Sequence, residues 1–363
     1  MKHFFNAYLL PGFVFMAVVI GGGYSTGREL VQFFGTLGPA GGLLGMAVTI
    51  VIWSVVLAIS FELVRMTKSY DYQTFAKALL GRAGVLFEPA LVVLMIVVLS
   101  VIGAAAGEIA HDTFGWPKLA GILLLMALIG VLVFFGSSVV EKVLAFWAAL
   151  LYVVYVAIII WGFAGFSDQI AASFAASPAP QGWVFSGIKY AAYNLAAMPA
   201  VYFTLRHAQS RRQAIGAGLL AGPIAMIPGI ALFVAMMAFY PAIQDQTVPT
   251  VYVLEQFKAP WFQGLFQIVL FGIMVKTGTA LLHAVNERIA KLYEDRGRAM
   301  PPAMRPAISC AALATAIFAA GGIGLVDLIA KGYVLLGYFF LLVLIIPVLT
   351  IGVWKVFFAA QNA

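Results

Sequence analysis

Charge is scarce in this chain. Asp, Glu, Lys and Arg make up 10% of its 363 residues, whereas soluble domains carry about 25%. So little charge cannot wet a globule of this size, which excludes an ordinary soluble domain and points to a surface facing lipid. Cysteine is nearly missing as well. Cys310, the one thiol, sits in an apolar run, so no disulfide framework exists within one chain and the side chain is expected in a packed interior. Polar–apolar alternation over barrel-length segments is also lacking, which leaves helices as the spanning structure. The net charge of +7 is not gathered into a patch, so nucleic acid is not an expected partner. No small-x-small cleavage site follows the first apolar run, so that run is read as a retained span and not a signal peptide.

What remains is 63% hydrophobic, with 36 Gly and 13 Met suited to close and adaptable helix contacts. Continuous apolar runs of about 20 residues are the length a bilayer requires of a helix. They fall at 8–35, 40–65, 85–111, 116–135, 143–165, 183–205, 213–239, 258–286, 304–323 and 326–355. The reading is an all-α integral membrane protein with ten transmembrane helices. Gly38-Pro39, Trp116-Pro117, Ser177-Pro178-Ala179-Pro180 and Pro301-Pro302 punctuate the runs, and Trp and Tyr gather near their ends as an interfacial belt requires.

Loop charge gives the orientation. With a cytoplasmic amino terminus, one side carries fifteen Lys and Arg, from Lys2 to Lys355, while the other carries only Lys118 and Lys258. That asymmetry places both termini in the cytoplasm of a bacterial-type inner membrane. The four remaining basic residues, Arg28, Lys189, Lys276 and Lys331, lie within spans. Only Lys276 is far from both ends of its span, where a charge costs about 2.5–3.5 kcal/mol and marks a functional position.

Two spans are poor helices. The first contains Gly21-Gly22-Gly23-Tyr24-Ser25-Thr26-Gly27, and each Gly costs about 1 kcal/mol relative to Ala. The sixth contains Tyr193-Asn194-Leu195-Ala196-Ala197-Met198-Pro199, and Pro199 removes a helix hydrogen bond. Dividing one membrane domain into residues 1–165 and 166–363 gives two halves of five spans, each opening with an interruption. An odd number of spans per half makes the repeats inverted. Interruptions at matching places in two such halves point to a transporter's binding site.

These features resemble the amino acid–polyamine–organocation superfamily, whose LeuT-type fold is a five-plus-five inverted repeat with helices one and six broken. Within it, Gly21 through Phe34, reading GGGYSTGRELVQFF, is similar to the first helix of the YkvI-like membrane proteins. The resemblance implies secondary active transport by alternating access and names no solute.

At an interruption, bare amides suit a carboxylate and bare carbonyls a cation. Gly22, Gly23, Ser25, Thr26 and Gly27 are therefore expected to line the site of a small amino acid-like or carboxylate-bearing solute, together with Tyr190, Tyr193 and Asn194. The superfamily resemblance implies a sodium site between carbonyls of helix one, here Gly21 and Tyr24, and hydroxyls of helix eight. Where two adjacent hydroxyls belong, this chain has Lys276-Thr277. An ammonium there replaces sodium electrostatically, so Lys276 is expected to couple transport to the proton, or to make it sodium-independent. Arg28 and Glu29 on span one and Asp327 and Lys331 on span ten are expected to pair as an outer gate.

Other signals count for less. Glu108-x-x-His111 is one copy of a spacing that di-metal bundles use twice. Ala197-Met198-Pro199 is similar to the Met-Pro of superfamily metal-ion transporters, but Gly21 to Gly27 holds no acid to bind such an ion. The glycine run precedes no Lys-Ser/Thr and is not a nucleotide loop. No cofactor or resident metal is expected. No nucleophile–base pair lies at membrane depth, so an enzyme is not expected. A ligand sensor on a transporter fold is the alternative reading, with metal-ion transport behind it.

Overall fold

A computed structural model describes residues 2–135, 138–177, 181–294 and 297–358. The turn expected at Pro178-Ala179-Pro180 and the basic Arg296 lie outside the described residues. Among the described residues there is no strand, as expected where lipid offers backbone groups no partner.

The helices that position the site are α1 (Leu10–Val19), α2 (Arg28–Phe33), α3 (Gly38–Thr67), α4 (Tyr72–Leu80), α5 (Phe87–Phe114), α6 (Lys118–Phe135) and α7 (Ser138–Ala175). They continue with α8 (Trp183–Asn194), α9 (Arg211–Met236), α10 (Pro249–Gln256), α11 (Pro260–Glu294), α12 (Met304–Ile323) and a last rod, α13 (Leu325–Phe357). Among the described residues, seven helical stretches are long and apolar enough to cross a membrane, and Phe5–Val19 and Lys118–Val133 are shorter apolar helices. Residues 183–207 change from α-helix to a tighter 3₁₀ turn after Asn194.

Local chemistry sets the boundaries. Gly38 at φ +75° admits the chain to α3, with Pro39 in its first turn. Gly115 at φ +67° closes α5. Asp71 caps α4, its side chain accepting from the amides of Gln73 at 3.1 Å and Thr74 at 3.0 Å. The last rod is less regular than its apolar run suggests: it contains widened turns at Leu328–Tyr333, Leu341–Ile345 and Val348–Gly352. The third follows Pro347, which has no amide to give the regular ladder.

Small residues let α8 and α9 press onto α3. A Cβ on Gly218 would lie 2.3 Å from the Ala58 backbone, and one on Gly187 would lie 2.5 Å from the Gly45 carbonyl. Hydrogen bonds tie the same faces: Thr49 Oγ1 donates to the Gly187 carbonyl at 3.1 Å, Trp53 Nε1 to that of Ala191 at 3.3 Å, and Ser54 Oγ to that of Leu219 at 2.9 Å. In lipid, where apolar surface gains nothing by leaving its surroundings, such close contacts hold helices together. Cys310 is exposed on α12, which corrects the expectation of a packed thiol; it lies on the outward face of a helix that buries Ser309, Ala312, Leu313 and Ala316 on the other.

Candidate functional site

The first interruption is built from its glycines. The helix ends at Val19, Ile20 leaves helical space at ψ 72°, and Gly21 is extended. One turn forms at Gly22–Ser25, and Gly27 at φ +73° redirects the chain into α2; a side chain there would be strained. The hydroxyls hold this path: Ser25 Oγ donates to the Gly21 carbonyl at 2.7 Å and Thr26 Oγ1 to that of Gly23 at 2.7 Å. The Gly22 amide crosses to α11, donating to Thr277 Oγ1 at 3.2 Å.

The two interruptions meet. Gly21, Gly22, Gly23, Tyr24, Tyr193 and Asn194 line one cavity of about 470 Å³, and Lys276 and Thr277 complete its wall from α11. Its mouth lies on the α1 side of the break, between the exposed Phe13 and Ala17 on α1 and Ala280 on α11. Glu29 and Tyr333, neither expected there, line the opposite end.

Other expected residues sit elsewhere. Ser25 and Thr26 are wholly buried and turn their hydroxyls to the backbone of the break, supporting it from behind. Gly27 faces Thr250 and Met236. Tyr190 packs against Phe33, Phe34 and Trp53, one layer behind Tyr193. The second half of span one is a four-residue turn and a six-residue helix, too short to sum much of a dipole. The carbonyls of Gly21 and Tyr24 accept from Ser25 and Gly27, at 3.0 and 2.9 Å.

The expected gate pairs are not formed. Lys331 pairs with Asp327 on its own rod at 3.1 Å, in an exposed position. Glu29 points inward, where it accepts from the Tyr193 hydroxyl. Arg28 points the other way: its guanidinium donates to the carbonyls of Gln244 at 2.8 Å and Gln246 at 2.9 Å, and to Gln32 Oε1 at 2.7 Å. Adjacent residues on a helix cannot share a face, so the two gate charges of span one separate. Glu108 pairs with Lys118 at 2.7 Å.

Behind the break, the segment between α9 and α11 closes the side away from the mouth. Thr250 at the start of α10 donates its amide to the Thr26 carbonyl at 3.1 Å and its hydroxyl to that of Ser25 at 3.2 Å.

No family model matches the chain. The uncharacterized membrane protein YkvI of Bacillus subtilis (strain 168) is 24% identical over 327 residues, covering 90% of this chain and 91% of that protein. Among solved structures, MhsT in complex with L-phenylalanine superposes with a TM-score of 0.60 at 16% identity, covering 98% of each chain. A Na⁺-coupled sialic acid symporter superposes at 0.56 with 13% identity, covering 96% of this chain and 87% of its own. The fold is LeuT-type. It extends over nearly the whole chain, which fits the meeting of the first and sixth spans in one cavity.

Little in the sequence singled out Glu29 or Tyr333 as cavity residues. Glu29 was visible as an acid inside a span, but its direction depends on how the break at Gly27 turns α2. Tyr333 falls in a widened turn of α13, where regular helical spacing gives the wrong face.

Proposed function

We propose that this protein is a secondary active transporter that carries a small amino acid-like or carboxylate-bearing solute by alternating access. The observation that carries the reading is the cavity itself: both interrupted spans and the mid-span Lys276 converge on one volume of about 470 Å³, in the range that holds a small solute. The fold shared with MhsT and a sialic acid symporter supports it, and so does the seal of Arg28 and Thr250 on one side with a mouth on the other. In this reading ten spans form two inverted repeats, residues 1–165 and 166–363, in a bacterial-type inner membrane. With both termini cytoplasmic, the cavity opens inward.

Gly22, Gly23, Tyr193 and Asn194 contact the solute, while Ser25, Thr26, Gly27 and Tyr190 shape the wall behind them. Gly21, Tyr24, Lys276 and Thr277 form the coupling region, in which the ammonium of Lys276 stands where sodium-dependent relatives hold their ion. Proton gain and loss at Lys276 then accompanies the solute. Arg28 belongs to the outer seal, with Glu29 on the solute side of it; Asp327 and Lys331 brace the outer end of α13.

The test begins with thermal stability of the purified protein against amino acids, amines and organic acids, with and without sodium and across pH, since a bound solute raises the melting temperature. Solutes that bind are then assayed for counterflow in proteoliposomes. Exchange of labelled solute without sodium is expected, together with a pH dependence that Lys276→Ala abolishes. A strict sodium requirement, or a Lys276→Ala variant with the full pH dependence, contradicts the coupling assignment. Binding with no exchange contradicts transport and marks a sensor.

A further inference from the structure

The closed end of the cavity holds a carboxylate that the mechanism above does not use. Glu29 is 4% exposed, and among the described residues it has no ion-pair partner. Its chain neighbour Arg28 is committed to the Gln244 and Gln246 carbonyls on the far side. One oxygen, Oε2, accepts from the Tyr193 hydroxyl. The other, Oε1, lies over Gly23: a Cβ there would sit 2.6 Å from Glu29 Oε1 and 3.0 Å from the Tyr333 hydroxyl. The rings of Tyr193 and Tyr333 stack with centroids 4.6 Å apart. An acid, two phenols and a bare glycine therefore converge on the same end of the cavity. Lys276, also without an ion-pair partner among the described residues, lines the same cavity from α11.

A carboxylate taken out of water is costly unless a cation meets it. Tyrosine rings add a negative face that attracts ammonium groups. Among the described residues no such cation pairs with Glu29, yet it faces the space a solute would fill. We propose that Glu29, with Tyr193 and Tyr333, seats a protonated nitrogen of the solute, so that the site selects ammonium-bearing molecules, foremost amino acids in zwitterionic form. The ammonium meets Glu29 Oε1 at the closed end, and a solute carboxylate lies toward Lys276. Gly23 is small because the solute and Glu29 need that space. This inference rests on the reading of the cavity as a solute site.

The experiment uses the full chain purified in detergent and three matched sets of probes: the common L-amino acids, the amines left by removing the carboxyl group, and the acids left by removing the amino group. Melting temperatures and titrations are recorded for the parent and for Glu29→Gln. Members with a protonated nitrogen are expected to bind the parent, and their nitrogen-free counterparts more weakly. Glu29→Gln is expected to raise the Kd of the nitrogen-bearing members by about ten- to a hundredfold, the loss of one charge-assisted contact, while leaving that of the acids unchanged. Should Glu29→Gln not fold, Glu29→Asp decides the matter: a retained preference for nitrogen with a Kd raised about threefold or more supports the seat, and an unchanged Kd overturns it. The proposal also fails if a nitrogen-free acid binds the parent as tightly as its amino acid, if Glu29→Gln binds the nitrogen-bearing members unchanged, or if none of those members binds. Counterflow separates the two layers. Nitrogen-bearing solutes that bind without exchange leave the seat standing and remove transport, whereas exchange of nitrogen-free acids does the reverse.

Discussion

At the residue scale, glycine decides both the packing and the break. Gly218 faces the backbone of Ala58, which cannot yield as a flexible side chain would. Gly218→Ala is therefore expected to destabilise the protein by about 1–3 kcal/mol, as overpacking does, and to lower the melting temperature in detergent. Gly321 on α12 has nothing within 4 Å of its would-be Cβ, so Gly321→Ala is expected to be neutral or to stabilise by up to about 1 kcal/mol through helix propensity. Equal effects at the two positions would contradict this account of the α3–α9 contact. The glycines at 21–27 and Lys276 were legible in the sequence as features that do not suit a buried helix. Glu29 and Tyr333 were not legible as neighbours, because each follows an irregular turn whose rotation no fixed periodicity describes.

At the scale of elements, the segment between α9 and α11 has no long apolar run and reads as a loop, so its part in the site was hidden. The structure shows why it matters. Arg28 binds two of its carbonyls, Gln244 Nε2 donates to the Gly35 carbonyl at 2.9 Å, and Thr250 bonds the break itself. Charged donors on carbonyls contribute about 1.5–3 kcal/mol each. Arg28→Ala is expected to loosen this seal, and hydrogen exchange of amides in 242–256 is the measurement. Exchange about tenfold faster or more is expected there, with α3 and α9 unchanged; protection equal to the parent would show that Arg28 does not hold the segment. The expected gate pairs are not formed in this structure for a reason of the same scale: Lys331 and Asp327 pair with each other one turn apart on α13, and Arg28 is held by the segment between α9 and α11.

At the scale of the whole molecule, the helical class and the two interruptions followed from composition and from the positions of Gly and Pro. Their meeting in one site was expected from the matching places in two halves, but the particular helix contacts that bring them together were not, because no single sequence says which helices touch. The charge asymmetry of the loops makes a prediction that the fold alone does not. With Cys310→Ser as background, a single cysteine replacing Lys118 or Lys258 is expected to react with a membrane-impermeant maleimide on intact cells, and one replacing Arg298 only in inside-out vesicles. The opposite pattern would invert the orientation and make the cavity outward-open.

The most direct measurement concerns the cavity wall. Ala197 lies within the second interruption and lines the cavity, so a cysteine there, again with Cys310→Ser, reports on the space between the two broken spans. In inside-out vesicles, Ala197→Cys is expected to be alkylated by an impermeant maleimide, and the solute found in the exchange screen is expected to slow that reaction at concentrations near its Kd. A cysteine that reacts only from the opposite side, or at a rate the solute does not change, would contradict a solute site enclosed by the two interrupted helices.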